Sequence, residues 1–215
     1  MHSQTTPLLR LLSLLIIISA AAAAAGPPER ARPADTSDDP DFIRLSCRST
    51  LYPDLCYQSL SPYNQTIQTS VKSMALTALT ISLNATASAS KTVRRISKQN
   101  RDKLSKREAS AVADCVETVQ DAVEELQDSM AAMRDLEGPE FRFKVSNIQT
   151  WVSAALTDDN TCMEGIDEDR VSPSSPSTAT GRDGEEVKRM IRSEIVNVAV
   201  ITSVALALLS KLMTA

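Results

Sequence analysis

The sequence predicts an all-α fold, a helical bundle held by two disulfides. Aromatic residues make up only 3% of the chain, and its apolar content is chiefly Ala, Leu, Val, Ile and Met. That mix suits helices and gives little material for a β-sandwich. Long segments repeat apolar residues in steps of three and four, the period of one helix face. The cysteines, Cys47, Cys56, Cys115 and Cys162, stand behind an apolar leader, and an even count in that setting reads as two disulfides. Sequence alone leaves three pairings open. Cys47–Cys56 with Cys115–Cys162 is the first choice, because the first two lie close along the chain.

Residues 1–25 read as a signal peptide. Arg10 ends a polar start, Leu11 to Ile18 is apolar apart from Ser13, and Ala20 to Ala25 offers an Ala-x-Ala cleavage site near Gly26. The run is too short, and too small at its end, for a membrane anchor. Cleavage removes His2, the only histidine. The remaining chain then cannot build a Ser-His-Asp triad, a Cys-His pair or a histidine metal site. Oxidised cysteines supply no thiolate, and no glycine-rich phosphate loop is present. Catalysis is therefore disfavoured, and neither a cofactor nor a metal is expected. The mature chain, about 190 residues, is long enough for one good core. Its mildly acidic balance, −4 for the whole chain, gives no general nucleic-acid footprint.

Residues 26–40 are rich in Pro, Arg and Asp, lack periodicity and read as a flexible linker. Order is expected from Asp41. Phe42, Ile43 and Leu45 flank Cys47, and Leu51-Tyr52-Pro53 turns the chain before Cys56, so two short helical pieces stapled by a disulfide are predicted. Closing that short loop is worth about 2.5–3 kcal/mol on the chain-entropy model. A first long helix is expected from Thr66 or Ser70 to Ile96, with Val71, Met74, Ala75, Ala78, Ile81 and Ala85 along one side. A basic stretch follows, Lys91, Arg94, Arg95, Lys98, Arg101, Lys103, Lys106 and Arg107, read as a solvated turn between helices. Asn64-Gln65-Thr66 and Asn84-Ala85-Thr86 are N-glycosylation sequons, the first at a turn and the second inside a helix.

The second long helix is the clearest. Val112, Val116, Val119, Val123, Leu126, Met130 and Met133 form the seam of a helical bundle. Asp114, Glu117, Asp121, Glu124, Glu125 and Asp128 lie largely opposite, with no Lys or Arg between them. Like charges at helical spacing cost a few tenths of a kcal/mol per pair, roughly, and a basic partner would relieve that cost. Gly138-Pro139 ends the helix. Phe141 and Phe143 lead into a third helix with Val145, Ile148, Val152, Ala155 and Leu156 inward, and Trp151 covers the core edge or a disulfide. A loop is expected over Asp167 to Glu186, then a last helix from about Glu185 to Met213. The uninterrupted apolar part of that helix is shorter than a membrane span needs, and the bundle needs it as a fourth member.

Three segments carry a resemblance. They are Cys47 with Tyr52-Pro53 and Cys56; Asp114-Cys115-Val116-Glu117 with Asp121-Ala122; and Val145 to Thr157 with Thr161-Cys162. Together they resemble the plant invertase and pectin methylesterase inhibitor family, over nearly all of the chain after the linker. The resemblance implies an inhibitor domain over residues 41–213, an N-terminal helical hairpin closed by the first disulfide, and an up-and-down four-helix bundle. It implies a second disulfide between the middle helices; the loop before Cys162 is read as longer here than in some members. The family often has an aromatic where Val119 stands.

The resemblance further implies a secreted protein of the plant cell wall and apoplast, monomeric when free, whose partner is pectin methylesterase. Neither nucleic acid nor membrane is expected as a partner. Such a protein covers the partner's pectin cleft in a stoichiometric complex. Glu117, Asp121 and Glu124 match acidic family positions on the second bundle helix, and Thr161 and Glu164 match a Thr-Cys-x-acid motif. Thr161 is equally suited to a local cap. Alternatives are an invertase inhibitor of the same fold and a wall-associated structural or recognition module. Invertase inhibitors of this family carry Pro-Lys-Phe between the middle helices. Here Pro139-Glu140-Phe141 puts a carboxylate where the lysine would enter a carboxylate-lined site, and Arg142 is the one residue that could swing in with the opposite sign.

Overall fold

The structure, a computed structural model, describes residues 38–168 and 179–214. The expected signal peptide, nearly all of the expected linker and the Ser-Pro segment lie outside the described residues. The described chain is helical. A hairpin of α1 (Asp38–Cys47) and α2 (Pro53–Leu60) is followed by a 3₁₀ turn, Ser61–Tyr63, and one turn of helix, α3 (Asn64–Ile67). Then come four long helices, α4 (Val71–Gln99), α5 (Lys106–Arg134), α6 (Phe141–Glu168) and α7 (Ala179–Lys211).

The hairpin forms as its residues dictate. Pro53 opens α2, where a missing N–H costs nothing. Cys47 and Cys56 are joined, with 5.6 Å between their Cα atoms. The Arg44 guanidinium lies 4.0 Å from the centre of the Tyr57 ring and ties the two helices from outside. Ile43, Leu60 and Ile67 bury fully against Met74 and Ala78 of α4 and Val204, Ala205 and Leu208 of α7. Each such side chain contributes about 1.5–3 kcal/mol, so the hairpin is fixed to one end of the bundle by packing as well as by its disulfide.

Capping chemistry sets the ends of the bundle helices. Ser70 accepts the Ser73 N–H at the start of α4. Ser105 and Glu108 form a reciprocal capping box at the start of α5. Gly138, at φ +84°, supplies the left-handed turn between α5 and α6. Short turns at 100–105 and 135–140 force α4, α5 and α6 to alternate in direction. Side-chain links fix the rest: Gln149 of α6 bonds Ser210 of α7, Ser82 of α4 meets Thr202 of α7 at 2.9 Å, and Lys188 of α7 pairs with Glu108 of α5. Each sequential helix packs on the next and α7 closes on α4, which is the up-and-down bundle. Cys115–Cys162 joins α5 to α6.

Two apolar layers fill the bundle. One holds Leu79, Leu126, Met133, Ile148, Val152 and Leu209; the other holds Val93, Val112, Val119, Ile166, Ile191 and Ile195. Val119 is fully buried. Trp151 packs at the edge of the first layer, away from the disulfide.

Several boundaries differ from expectation. Asp38–Pro40, assigned to the linker, already belong to α1. The basic stretch is not all turn, because Lys91, Arg94, Arg95 and Lys98 ride on the last turns of α4. No loop precedes Cys162, which lies inside the continuous helix α6. The loop expected over 167–186 is shortened from both sides, since α6 runs to Glu168 and α7 starts at Ala179. Tertiary contact rewards the earlier start. Lys188 is 2% exposed and pairs with Glu185 at 2.5 Å and with Glu108 at 3.5 Å. A side chain at Gly184 would collide with the Glu108 carboxylate, so glycine permits that approach. Finally, Arg182–Lys211 is long and apolar enough to cross a membrane by length and composition, contrary to the expected short run. Its stripe of Val187, Ile191, Ile195, Val198, Leu208 and Leu209 nevertheless lies in the core.

Candidate functional site

Helices α5 and α6 make the most extensive pairing in the bundle, and their seam presents two concavities to solvent. The first is an acidic groove of about 490 Å³, lined by Asp121, Glu124, Glu125 and Asp128 of α5 and Ala154, Thr157 and Asp158 of α6. It exists because the seam residues Ala122, Leu126, Val152 and Ala155 draw the two helices together. Their shoulders on one side then carry carboxylates from both.

The electrostatics are strained. Burial, followed by the charges of Asp128 and Asp121, raises the Glu125 carboxyl above its ordinary range. Burial, followed by Asp121 and Glu125, does the same to Asp158. One Glu125 oxygen is buried without a hydrogen-bond partner. Among the described residues the neutral help comes from Gln120, whose amide donates to Glu124 at 3.4 Å. None of these groove carboxylates has an ion-pair partner among the described residues. A cation brought in from outside would relieve both repulsion and incomplete solvation.

The second concavity, about 300 Å³, lies over the disulfide. It is walled by Asp114, Thr118 and Arg107 of α5 and Thr161 and Gly165 of α6, with Cys115 and Cys162 as its floor. The expected binding residues divide between these places. Glu117, Asp121, Glu124, Thr161 and Glu164 are all exposed. Asp121 and Glu124 line the groove and Thr161 the second cleft, whereas Glu117 and Glu164 line neither. Thr161 does not cap a helix, since its hydroxyl donates to the Thr157 carbonyl in mid-helix. Of the sequon residues, Asn84 is exposed and Asn64 half-buried.

Sequence reasoning placed Glu125 and Asp128 on the acid stripe but did not find Asp158. Its signal was an Asp-Asp pair inside an otherwise apolar-periodic helix. Asp159, the second of that pair, is fully buried on the core line between Ala155 and Cys162. Neither of its oxygens has a partner, and burial, then the charge of Asp158, pushes its carboxyl up to about 8.

Residues 41–208 match the family model described as plant invertase/pectin methylesterase inhibitor. The chain is 39% identical over 172 residues to the "21 kDa protein" of Daucus carota, covering 79% of this chain and 82% of that one. It is 37% identical over 180 residues to "Pectinesterase inhibitor 9" of Arabidopsis thaliana, covering 81% and 82%. It is 38% identical over 173 residues to "Pectinesterase inhibitor 10" of the same plant, covering 79% of this chain and half of that longer one.

Proposed function

Because the chain belongs to the plant invertase/pectin methylesterase inhibitor family, we propose that it inhibits pectin methylesterase by forming a stoichiometric complex through the outer α5–α6 face. In this reading it is a secreted protein of the cell wall and apoplast that limits removal of methyl esters from pectin. The family is one of enzyme inhibitors, and the chain's role is to cover a catalytic cleft.

The observation that carries this reading is the acidic groove. Its carboxylates lack ion pairs, so a partner that brings Lys or Arg gains attraction at little cost in reordering. Two helices joined by Cys115–Cys162 hold the face in shape before contact, which reduces the entropy lost on binding. Glu117 extends the stripe along α5, and Thr161 and Glu164 carry the contact along α6. A polymer-binding cleft covered by such a face excludes its substrate, and a continuous helix offers no scissile ester.

Parallel titration of purified pectin methylesterase and invertase at mildly acidic pH is the test. Inhibition of the esterase with an equivalence point near one to one is expected. Replacing Glu117, Asp121 and Glu124 with Gln, Asn and Gln should weaken inhibition by roughly tenfold and leave the melting curve in place, since exposed charges add little to folding. Inhibition of invertase without inhibition of esterase would reverse the assignment.

A further inference from the structure

The cations on α4 are not explained by esterase inhibition. Lys91, Arg94, Arg95 and Lys98 are spaced i, i+3, i+4, i+7, which puts them on one face. All four are exposed. The row continues past the helix end with Arg101 and Lys103, also exposed. Neighbouring charges on such a face lie about 5–6 Å apart, and the helical part alone spans about 10 Å.

Among the described residues no side chain forms an ion pair with these charges, and Asp102 is the one carboxylate within the row. Arg94 donates to the side-chain oxygen of Gln120 at 3.0 Å, a neutral partner that steers the guanidinium but leaves its charge. The nearby Glu108 is committed to Lys188 and to the cap of α5. The α4 macrodipole rewards cations only in the last turn, so it accounts for Lys98 and not for Lys91. In a chain of net charge −4, such a row of like charges needs an external counter-charge to be favourable.

We infer that this ridge binds a polyuronate, a linear chain of sugar carboxylates. Hydrolysis of a methyl ester adds water, releases methanol and leaves a carboxylate, so the product of the partner enzyme is an anionic polymer and its substrate a neutral one. A cation ridge discriminates between the two by charge, and displacement of counterions from the polymer supplies the driving force. The inhibitor is thereby concentrated where de-esterification has already begun. The choice of polymer rests on the esterase-inhibitor reading; the ridge itself does not.

The purified full-length protein should be retarded in native gels containing polygalacturonate and not in gels containing fully methyl-esterified pectin. Retardation should vanish at about 0.3 M salt, where charges are screened beyond a few ångströms. Replacing Lys91, Arg95 and Lys98 with Gln should weaken polyuronate binding by about tenfold or more, while the melting curve and esterase inhibition on a short soluble substrate stay unchanged. Equal retardation of wild type and variant, or equal binding to the esterified polymer, would overturn the inference. So would tighter binding to duplex DNA or to vesicles of anionic lipid at matched charge concentration. If polyuronate binding holds but no esterase is inhibited, the functional assignment falls and the ridge stands. If inhibition holds without polyuronate binding, the reverse is true.

Discussion

An aspartate with no partner in the middle of a helical bundle is tolerated when it keeps its proton. Asp159 is such a residue, its carboxyl pushed up to about 8 by burial and by Asp158. In the unfolded chain an aspartate titrates near 4, about the model-peptide value. Between those values the folded state holds a proton that the unfolded state has released. The contribution of Asp159 is thus fully present below about pH 4 and is lost as pH rises towards about 8, at up to about 1.4 kcal/mol per pH unit. Melting curves from mildly acidic to mildly alkaline pH should show Tm falling. Asp159→Asn should flatten that decline; an unchanged slope would clear this residue of responsibility. Lys188 is the opposite case, a buried cation that is paired. Lys188→Ala should cost about 3 kcal/mol because Glu108 is left without its partner. Neither residue was legible in the sequence. Asp159 sits at a core position of a readable apolar stripe, but its polarity argued for the surface, and Lys188 reads as one more surface charge until α7 is docked on α5.

Among the elements, α5 is the most readable, because its seam and acid stripe are both local signals. Six of its acids could be named from spacing alone, yet the groove they make with Asp158 depends on the register of α6 against α5, which no single helix encodes. The start of α7 is hidden for a related reason. The Ser-, Pro- and acid-rich run from Asp167 to Glu186 suggests a loop, and only the Glu108 contact shows why Gly184 serves a helix. The two disulfides act on different elements. Removing Cys115–Cys162 by paired serine substitution should cost about 4 kcal/mol on the chain-entropy model, and removing Cys47–Cys56 about 2.5–3; chemical denaturation of each variant gives the comparison. In the turn between α5 and α6, Glu140 is exposed. Glu140→Lys should leave stability unchanged and confer invertase inhibition that the wild type lacks, measured in the same parallel titration.

At the scale of the whole molecule, charge is sorted by place. The α5–α6 groove is acidic, the end of α4 is basic, and Gln120 stands between them, accepting from Arg94 and donating to Glu124. The nearly neutral total conceals this division. Association with a basic enzyme surface should therefore slow as salt is added, with dissociation changing less, because the groove steers encounters over a Debye length of about 10 Å at 0.1 M. Stopped-flow or surface-binding kinetics at several ionic strengths measure both rates. The bundle itself was foreseeable from helical periodicity, turn signals and cysteine positions, since each long helix carries its own apolar face. The alternating order follows once two of the turns are short. What the linear chain does not display is which charged faces become neighbours.

The sequon within α4 adds a matter of timing. Asn84 is exposed, but Thr86, whose hydroxyl the glycosylating enzyme must recognise, is fully buried and donates to the Ser82 carbonyl. In the finished bundle the acceptor is on view and its recognition element is not. A sugar can reach Asn84 only while α4 is still unpacked, so occupancy at that residue records how long the nascent chain waits before it closes.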